Sequence, residues 1–155
     1  MINIVLYQPE IPPNTGTIAR SCAITGMKLH LIKPLGFNID DKAVKRAGLD
    51  YWHLLDLEVH ESIEAFLEKY GNEDIYLATT KTDKFYTEVN YSENAFIMFG
   101  KETAGLPAWL HDKYQENQIT IPMKQHEDVR SLNLSNSVNI IAFEALRQLD
   151  FPGLK

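Results

Sequence analysis

The sequence has one cysteine, no excess of positive charge and no long hydrophobic run. A single cysteine, Cys22, excludes an internal disulfide and a zinc site built from cysteines. No apolar run approaches the 18 residues that a membrane-spanning helix needs, and the start of the chain lacks the basic and apolar stretches of a secretion signal. We therefore expect a soluble, cytoplasmic protein that does not bind membranes.

Positive charge is scarce as well: the chain has 15 Lys and Arg but 21 Asp and Glu, which gives a net charge of −6. Nucleic-acid binders are usually basic, so this balance alone argues against one. The acids are unevenly distributed, however. We expect those concentrated in one third of the chain to form a solvated face away from any functional site: Glu58, Glu61, Glu64, Glu68, Glu73 and Asp74.

The common nucleotide and catalytic signatures are also missing. No glycines have the GxGxxG spacing, and neither GxSxG nor HExxH occurs. Gly100–Gly105 matches the front of a phosphate-binding loop, but Leu106 and Pro107 replace the Lys-Ser/Thr that would hold phosphates and magnesium. The five histidines lack metal-ligand spacing. These absences disfavour a Rossmann dehydrogenase, a P-loop NTPase, a serine hydrolase and a zinc enzyme.

What the chain does contain is an alternation of short apolar strands with helical segments. Its 155 residues, 45% of them hydrophobic, suffice for one domain with a substantial core. The pattern predicts strands at 2–6, 29–32, 55–59, 75–79, 95–99 and 119–122. It predicts helices from an Asn14 N-cap to Gly26, and at 40–47, 62–70, 106–113 and 135–149. This order is typical of a parallel α/β sheet covered on both faces.

Three polar loops follow apolar strands, and ligands of parallel sheets bind at that edge. They comprise residues 12–20, residues 99–107, and 121–123 continued by 130–137. Each alone could be an ordinary cap or turn. Together, at one sheet edge, they predict a binding site. In the third loop we expect Leu132 and Leu134 to be partly buried, which is typical of a segment that wraps a ligand or another loop.

These loops resemble the motifs of the SPOUT methyltransferases, specifically the SpoU-type RNA ribose 2′-O-methyltransferases. The first motif is Asn14-x-Gly-x-x-x-Arg20, the second is FGKETxGLP at 99–107, and the third is IPM at 121–123 with SLNLSN at 131–136. The opening IVLYQPEIPPNTG and the stretch KRAGLDY at 45–51 resemble one subfamily, the TrmL-like tRNA methyltransferases. The resemblance covers nearly the whole chain.

The resemblance implies an α/β knot, with the last stretch of a single domain (residues 1–155) tucked through a loop as a deep C-terminal trefoil knot. It implies a homodimer packed through the first and last helices, without a separate RNA-binding domain. The implied cofactor is S-adenosylmethionine, which becomes S-adenosylhomocysteine, and no metal is required. Carried over one by one, its binding positions are Ala78, Thr79, Gly100, Ile121, Ser131 and Leu132.

The resemblance also implies a catalytic set of Arg20, Asn14, Glu102, Ser131 and Asn133. Guanidinium groups stay protonated in proteins, so we expect Arg20 to hold an RNA phosphate and polarise the hydroxyl rather than act as a base. Glu102 could instead form an ion pair with Arg20 or Arg130.

The implied substrate is the ribose of the wobble nucleotide, position 34, in leucine tRNAs: cytidine or 5-carboxymethylaminomethyluridine. Candidate RNA contacts are Lys42, Lys45, Arg46, Lys124, His126 and Arg130, which could equally form a solvated charged face. Other interpretations stay open: a methyltransferase of another RNA such as rRNA, a knotted RNA-binding protein without catalysis, or a flavodoxin-like nucleotide-binding regulator.

Overall fold

Six parallel strands form one sheet in the order β3-β2-β1-β5-β4-β6. The structure is a computed structural model and describes residues 1–40, 42, 46 and 49–155. The strands are β1 Asn3–Tyr7, β2 Lys28–Ile32, β3 Asp56–His60, β4 Ile75–Ala78, β5 Phe96–Phe99 and β6 Gln118–Ile119. The predicted parallel sheet is confirmed, with strand ends shifted by a few residues and β6 reduced to two.

The described residues contain four α-helices that connect or flank the strands: α1 Pro12–Thr25, α2 Ile63–Tyr70, α3 Ala108–Lys113 and α4 Leu134–Gln148. They also contain two short 3-10 helices, Leu49–Leu54 and Gln115–Asn117. The helix predicted at 40–47 lies outside the described residues, apart from residues 40, 42 and 46. Within the part that is described, no helix combines the length and hydropathy needed to cross a bilayer.

Side chains that alternate along the central strands build a core on each face of the sheet. On one face, Ile4 and Leu6 pack in a cluster with Ile18 of α1 and Ile141 of α4. On the other, Val5 packs with residues of α2 and α3. The sheet is therefore buried on both sides, and most of its central strand residues are apolar.

The start of α1 differs from the prediction. Ile11, not Asn14, is the N-cap, and Pro12 begins the helix, since a proline lacks the N–H that a first turn leaves unpaired anyway. Asn14 lies in the first turn, and its side chain is therefore free to bond elsewhere. The predicted end of the helix is confirmed, because Gly26 adopts the left-handed conformation, with φ 76°, that terminates helices.

A buried histidine pair lies beneath α2. His30 Nδ1 is 3.0 Å from His60 Nε2, and His30 Nε2 is 3.0 Å from Asn3 Oδ1. The Asn3 amide nitrogen donates to the backbone carbonyls of Met1 and Asn94, so Asn3 Oδ1 is left to accept from His30. His30 is thus a donor at Nε2 and an acceptor at Nδ1. This hydrogen-bond chain requires the neutral ring.

A carboxylate borders this pair, although the histidines lack metal-ligand spacing in the sequence. Potential ligand atoms of His30, Glu58 and His60 lie within 4.8 Å of one another. Glu58 Oε2 is 2.7 Å from Lys69 Nζ, and Glu58 Oε1 is 3.0 Å from Lys28 Nζ. Burial raises the pKa of Glu58, but hydrogen bonds from lysine and tyrosine outweigh it and lower the pKa to about 2. Two ammonium groups already neutralise this carboxylate, which opposes a further cation.

Acid should destabilise the fold through His30. Burial, followed by the neighbouring His60, lowers the pKa of His30 from 6.5 to about 3. The unfolded chain therefore binds the proton more readily. The free energy of unfolding should fall as the pH drops below about 6.5, by up to about 1.4 kcal/mol per pH unit. Urea unfolding between pH 7.5 and 5 at one protein concentration measures this slope.

The variant His30→Gln should be less stable than wild type at pH 7.5 but should show a flatter pH dependence. His53→Gln is the matched control, because His53 is exposed on the surface. Equal slopes for wild type and His30→Gln would contradict the assignment.

Candidate functional site

The carboxyl ends of β4, β5 and β6 open into a cavity of about 530 Å³. The start of α1 and the segment that leads into α4 complete its walls. This volume lies within the range of small-molecule sites, and the location at the strand ends is where parallel sheets bind ligands. All three predicted loops therefore meet at one site.

Every position predicted to hold a cofactor lines this cavity: Ala78, Thr79, Gly100, Ile121, Ser131 and Leu132. Leu132 is 40% exposed and lies on the cavity wall rather than in the core. Leu134, the first residue of α4, is partly buried and packs against the main core as predicted. The two leucines thus mark the boundary between the cavity and the core.

Gly100 is required by a close approach of two backbone segments. A Cβ at Gly100 would overlap the backbone of Gly105 and lie 2.6 Å from the Leu106 nitrogen. The loop closes here because the Gly105 N–H donates to the Lys101 carbonyl at 2.9 Å, and Gly105 itself has a φ of +68°. The result is a tight turn beside the cavity, with no room for a side chain at position 100.

Glu102 joins this turn to the beginning of α1. Its carboxylate accepts hydrogen bonds from the backbone N–H of Glu10 at 2.9 Å, from that of Ile11 at 2.7 Å, and from Asn14 Nδ2 at 3.3 Å. In return, Glu10 accepts from the backbone N–H and the hydroxyl of Thr103. No ion pair links Glu102 to Arg20 or Arg130 among the described residues, so its acceptor atoms serve the start of a helix.

Asn14 connects the hydrogen bonds of Glu102, called here the Glu102 bridge, to the third loop. Asn14 Oδ1 accepts from Asn133 Nδ2 at 3.1 Å. Asn133 in turn caps α4, and its Oδ1 accepts from the backbone N–H groups of Ser135 and Asn136 and from the Ser135 hydroxyl. One chain of hydrogen bonds therefore runs from the second loop through the first to the third. It places Glu102, Asn14 and Asn133 side by side at the cavity.

Arg20 is the member of the predicted catalytic set that does not line the cavity. It lies on the exposed side of α1, six residues beyond Asn14, or about 9 Å further along the helix axis. Its Cζ atom stands 4.7 Å from the centroid of the Tyr51 ring. The guanidinium is thus held at the surface by an aromatic face.

The predicted RNA contacts are less concentrated than the other site residues. Lys42, Arg46, Lys124 and His126 are exposed and do not line the cavity, whereas Arg130 is exposed and lines it. Lys45 lies outside the described residues. His126 Nδ1 accepts from the backbone N–H of Asp128 and lies 3.5 Å from its carboxylate, so the neighbouring acid partly offsets any positive charge there.

Three further residues line the cavity: Lys81, Lys101 and His111. Sequence reasoning missed Lys81 and His111, and it gave Lys101 of the second motif no role. The two lysines closely follow β4 and β5, so their place after predicted strands could have identified them. His111 comes from α3 and carried no such signal. Its Nδ1 is buried and has no hydrogen-bond partner among the residues described. None of the clustered acids of 58–74 lines the cavity.

Removing the charge of Glu102 should loosen the site. In Glu102→Gln one carboxylate oxygen becomes an NH2 group facing an N–H donor, so hydrogen bonds of the α1 start are lost. We expect a loss of about 1–3 kcal/mol in the free energy of unfolding. Urea unfolding measures it. Glu68→Gln, on the exposed side of α2, is the control and should change little. A similar small effect for both variants would show that Glu102 does not hold the loops together.

Comparison with known proteins identifies relatives of this chain. The profile described as the SpoU rRNA methylase family matches residues 1–143. A tRNA (cytidine(34)-2′-O)-methyltransferase of Yersinia pestis is 50% identical, with 99% of this chain and 97% of that protein aligned. A protein of the same description from Escherichia coli K12 is 49% identical, with the same coverage.

A solved structure on the 2-OH methylation of C/U34 on tRNA is 42% identical to this chain. Its TM-score is 0.91, and the match covers 97% of each chain. The similarity therefore extends over the sheet, the helices and all three loops of the cavity.

Proposed function

This chain belongs to the SpoU rRNA methylase family, and we propose that it is an S-adenosylmethionine-dependent tRNA ribose 2′-O-methyltransferase that acts on the wobble nucleotide. The family assignment read from the three motifs is confirmed by the profile match. The observation that carries the proposal is the convergence of those motifs on one cavity at the strand ends. The names of the similar proteins from Y. pestis and E. coli support the reaction and the nucleotide.

The cavity fits a nucleoside-based cofactor. Backbone groups of the Gly100 turn are accessible, Ile121 and Leu132 provide apolar walls, and Ser131 and Thr79 provide hydroxyl groups. We infer that these residues, with Ala78, would hold S-adenosylmethionine. When bound, it would supply a sulfonium methyl group for transfer, leaving S-adenosylhomocysteine. The residues proposed to hold it need no metal among them.

The protein's own contribution would be orientation and charge. Asn14 and Asn133 are fixed by the Glu102 bridge, so their amides could orient a ribose hydroxyl with little freedom to move. Ser131 lines the cavity beside them. Arg20 would grip the RNA backbone at the surface and polarise the hydroxyl, since a guanidinium presents several fixed N–H donors.

Leucine tRNAs with cytidine or a modified uridine at position 34 are the proposed substrates. Lys81, Lys101 and Arg130 make the cavity wall basic although the chain is acidic overall. Lys42, Lys45, Arg46, Lys124 and His126 would extend the contact along the RNA. We propose that this one domain binds tRNA itself, in the cytoplasm.

We also propose that the protein acts as a homodimer packed through α1 and α4. The two helices pack on each other, and both expose apolar side chains: Ile24 at 52%, Ile140 at 37% and Phe143 at 43%. Large exposed apolar groups on neighbouring helices are typical of an interface. The proposed trefoil knot would tuck the chain after β6 through a loop, and the Asn14–Asn133 hydrogen bond supports its position against α1.

Arg20→Ala should abolish methyl transfer while sparing cofactor binding, because Arg20 lies outside the cavity lining. The assay uses tritiated S-adenosylmethionine with separated tRNA and rRNA pools, followed by mass spectrometry of nuclease digests. Wild type should place one ribose methyl at nucleotide 34 of leucine tRNA. Calorimetry measures cofactor binding for both proteins.

Three outcomes would count against the proposal. Full activity of Arg20→Ala would remove the role of the arginine. Methylation of rRNA alone would favour a methyltransferase of another RNA. Absence of cofactor binding by the wild-type protein would favour a non-catalytic RNA-binding protein.

Introducing a charge into the proposed interface should separate the subunits. Phe143→Glu should shift the protein from dimer to monomer in sedimentation equilibrium and weaken tRNA binding, because the two basic surfaces would no longer lie side by side. Wild-type binding should weaken steeply with salt. Asn72→Glu, on the exposed turn after α2, adds the same charge and should stay dimeric. A dimeric Phe143→Glu would refute this interface.

A further inference from the structure

The contact between Arg20 and Tyr51 connects the end of the first motif with a segment that lies outside all three loop motifs. Arg20 Cζ lies 4.7 Å from the Tyr51 ring centroid, within the range of a cation–π interaction. Tyr51 belongs to the 3-10 helix Leu49–Leu54, which packs against α1. Arg20 and Tyr51 therefore belong to two different elements, and the packing of the 3-10 helix against α1 brings them together.

The C-terminal end of this 3-10 helix is anchored to the core by residues before and after it. Trp52 and Leu55 pack against the main hydrophobic core, and the Leu55 N–H donates to the Trp52 carbonyl at 3.1 Å. Tyr51 is itself half-buried, whereas Arg20 is exposed. The fixed ring of Tyr51 therefore limits the conformations that the long Arg20 side chain can adopt.

We propose that Tyr51 is a positioning residue for Arg20, which it holds by its ring face with the N–H donors free for the RNA backbone. The proposal rests on the function proposed above. Across the described ranges 1–40, 42, 46 and 49–155, no ion pair engages Arg20. A carboxylate partner would occupy the edge donors of the guanidinium, because it accepts bidentate hydrogen bonds there. An aromatic ring contacts the plane instead and leaves those donors available.

A cation–π role of Tyr51 and a simple packing role predict different effects of substitution. If the ring face matters, Phe should replace Tyr51, whereas Leu, which keeps apolar bulk but lacks a π face, should not. We expect Tyr51→Phe to retain kcat within about twofold and Tyr51→Leu to lower kcat by about three- to tenfold. The KM for S-adenosylmethionine should not change, because neither residue lines the cavity.

Steady-state methylation of tRNA by the full-length protein provides these values. Tyr51→Leu with wild-type kcat would overturn the proposal, and so would a Tyr51→Phe variant as slow as Tyr51→Leu, because the hydroxyl would then be the important group. If Tyr51→Leu fails to fold, phenylalanines with one to three ring fluorines can be introduced at position 51. They keep the shape and weaken the π face, so kcat should fall with each fluorine, and a constant kcat would refute the cation–π role.

A double-mutant cycle on tRNA affinity separates the positioning role from general destabilisation. Tyr51→Leu should weaken tRNA binding in the wild-type background and have no further effect in Arg20→Ala. Equal losses in both backgrounds would overturn the coupling. An active Arg20→Ala protein would instead refute the proposed role of the arginine, so the two failures are distinguishable.

Discussion

The site depends on one carboxylate that accepts hydrogen bonds from the start of a helix. Glu102 accepts from the backbone of Glu10, 92 residues earlier, and from Ile11 and Asn14. Charged acceptors satisfy helix-start N–H groups well, because those groups carry the positive end of the helix dipole. Asn14 in turn accepts a hydrogen bond from Asn133, which caps α4. Three loops from distant parts of the sequence thereby become one rigid wall.

Charge is distributed so that the acidic total and a basic site coexist. Glu58 is neutralised by Lys28 and Lys69 under α2, away from the cavity. Lys81, Lys101 and Arg130 line the cavity itself. Local potential, rather than net charge, governs attraction of a polyanion. A net charge of −6 is therefore compatible with a site that faces RNA.

Periodicity predicted the sheet well because buried parallel strands are short continuous apolar runs, and β1, β4 and β5 follow that pattern closely. Motif spacing predicted the cavity wall, because loops after parallel strands meet at one edge. It could not assign bonding partners: Asn14 was expected to cap α1, whereas Ile11 does so and Asn14 bridges Glu102 and Asn133. Hydrogen bonds between residues about a hundred positions apart leave no local signal.

The sequence by itself determined the α/β class and the sheet edge that carries the site, since both follow from local patterns of hydrophobicity, glycine and polar residues. The resemblance of its three motifs identified the family. Only the tertiary structure decided which atoms meet. It put Arg20 against Tyr51, paired His30 with His60 through the register of β2 and β3, and exposed Leu132 at the cavity. The physical reason is that contacts across strands and between elements depend on the three-dimensional path of the chain, which local composition does not encode.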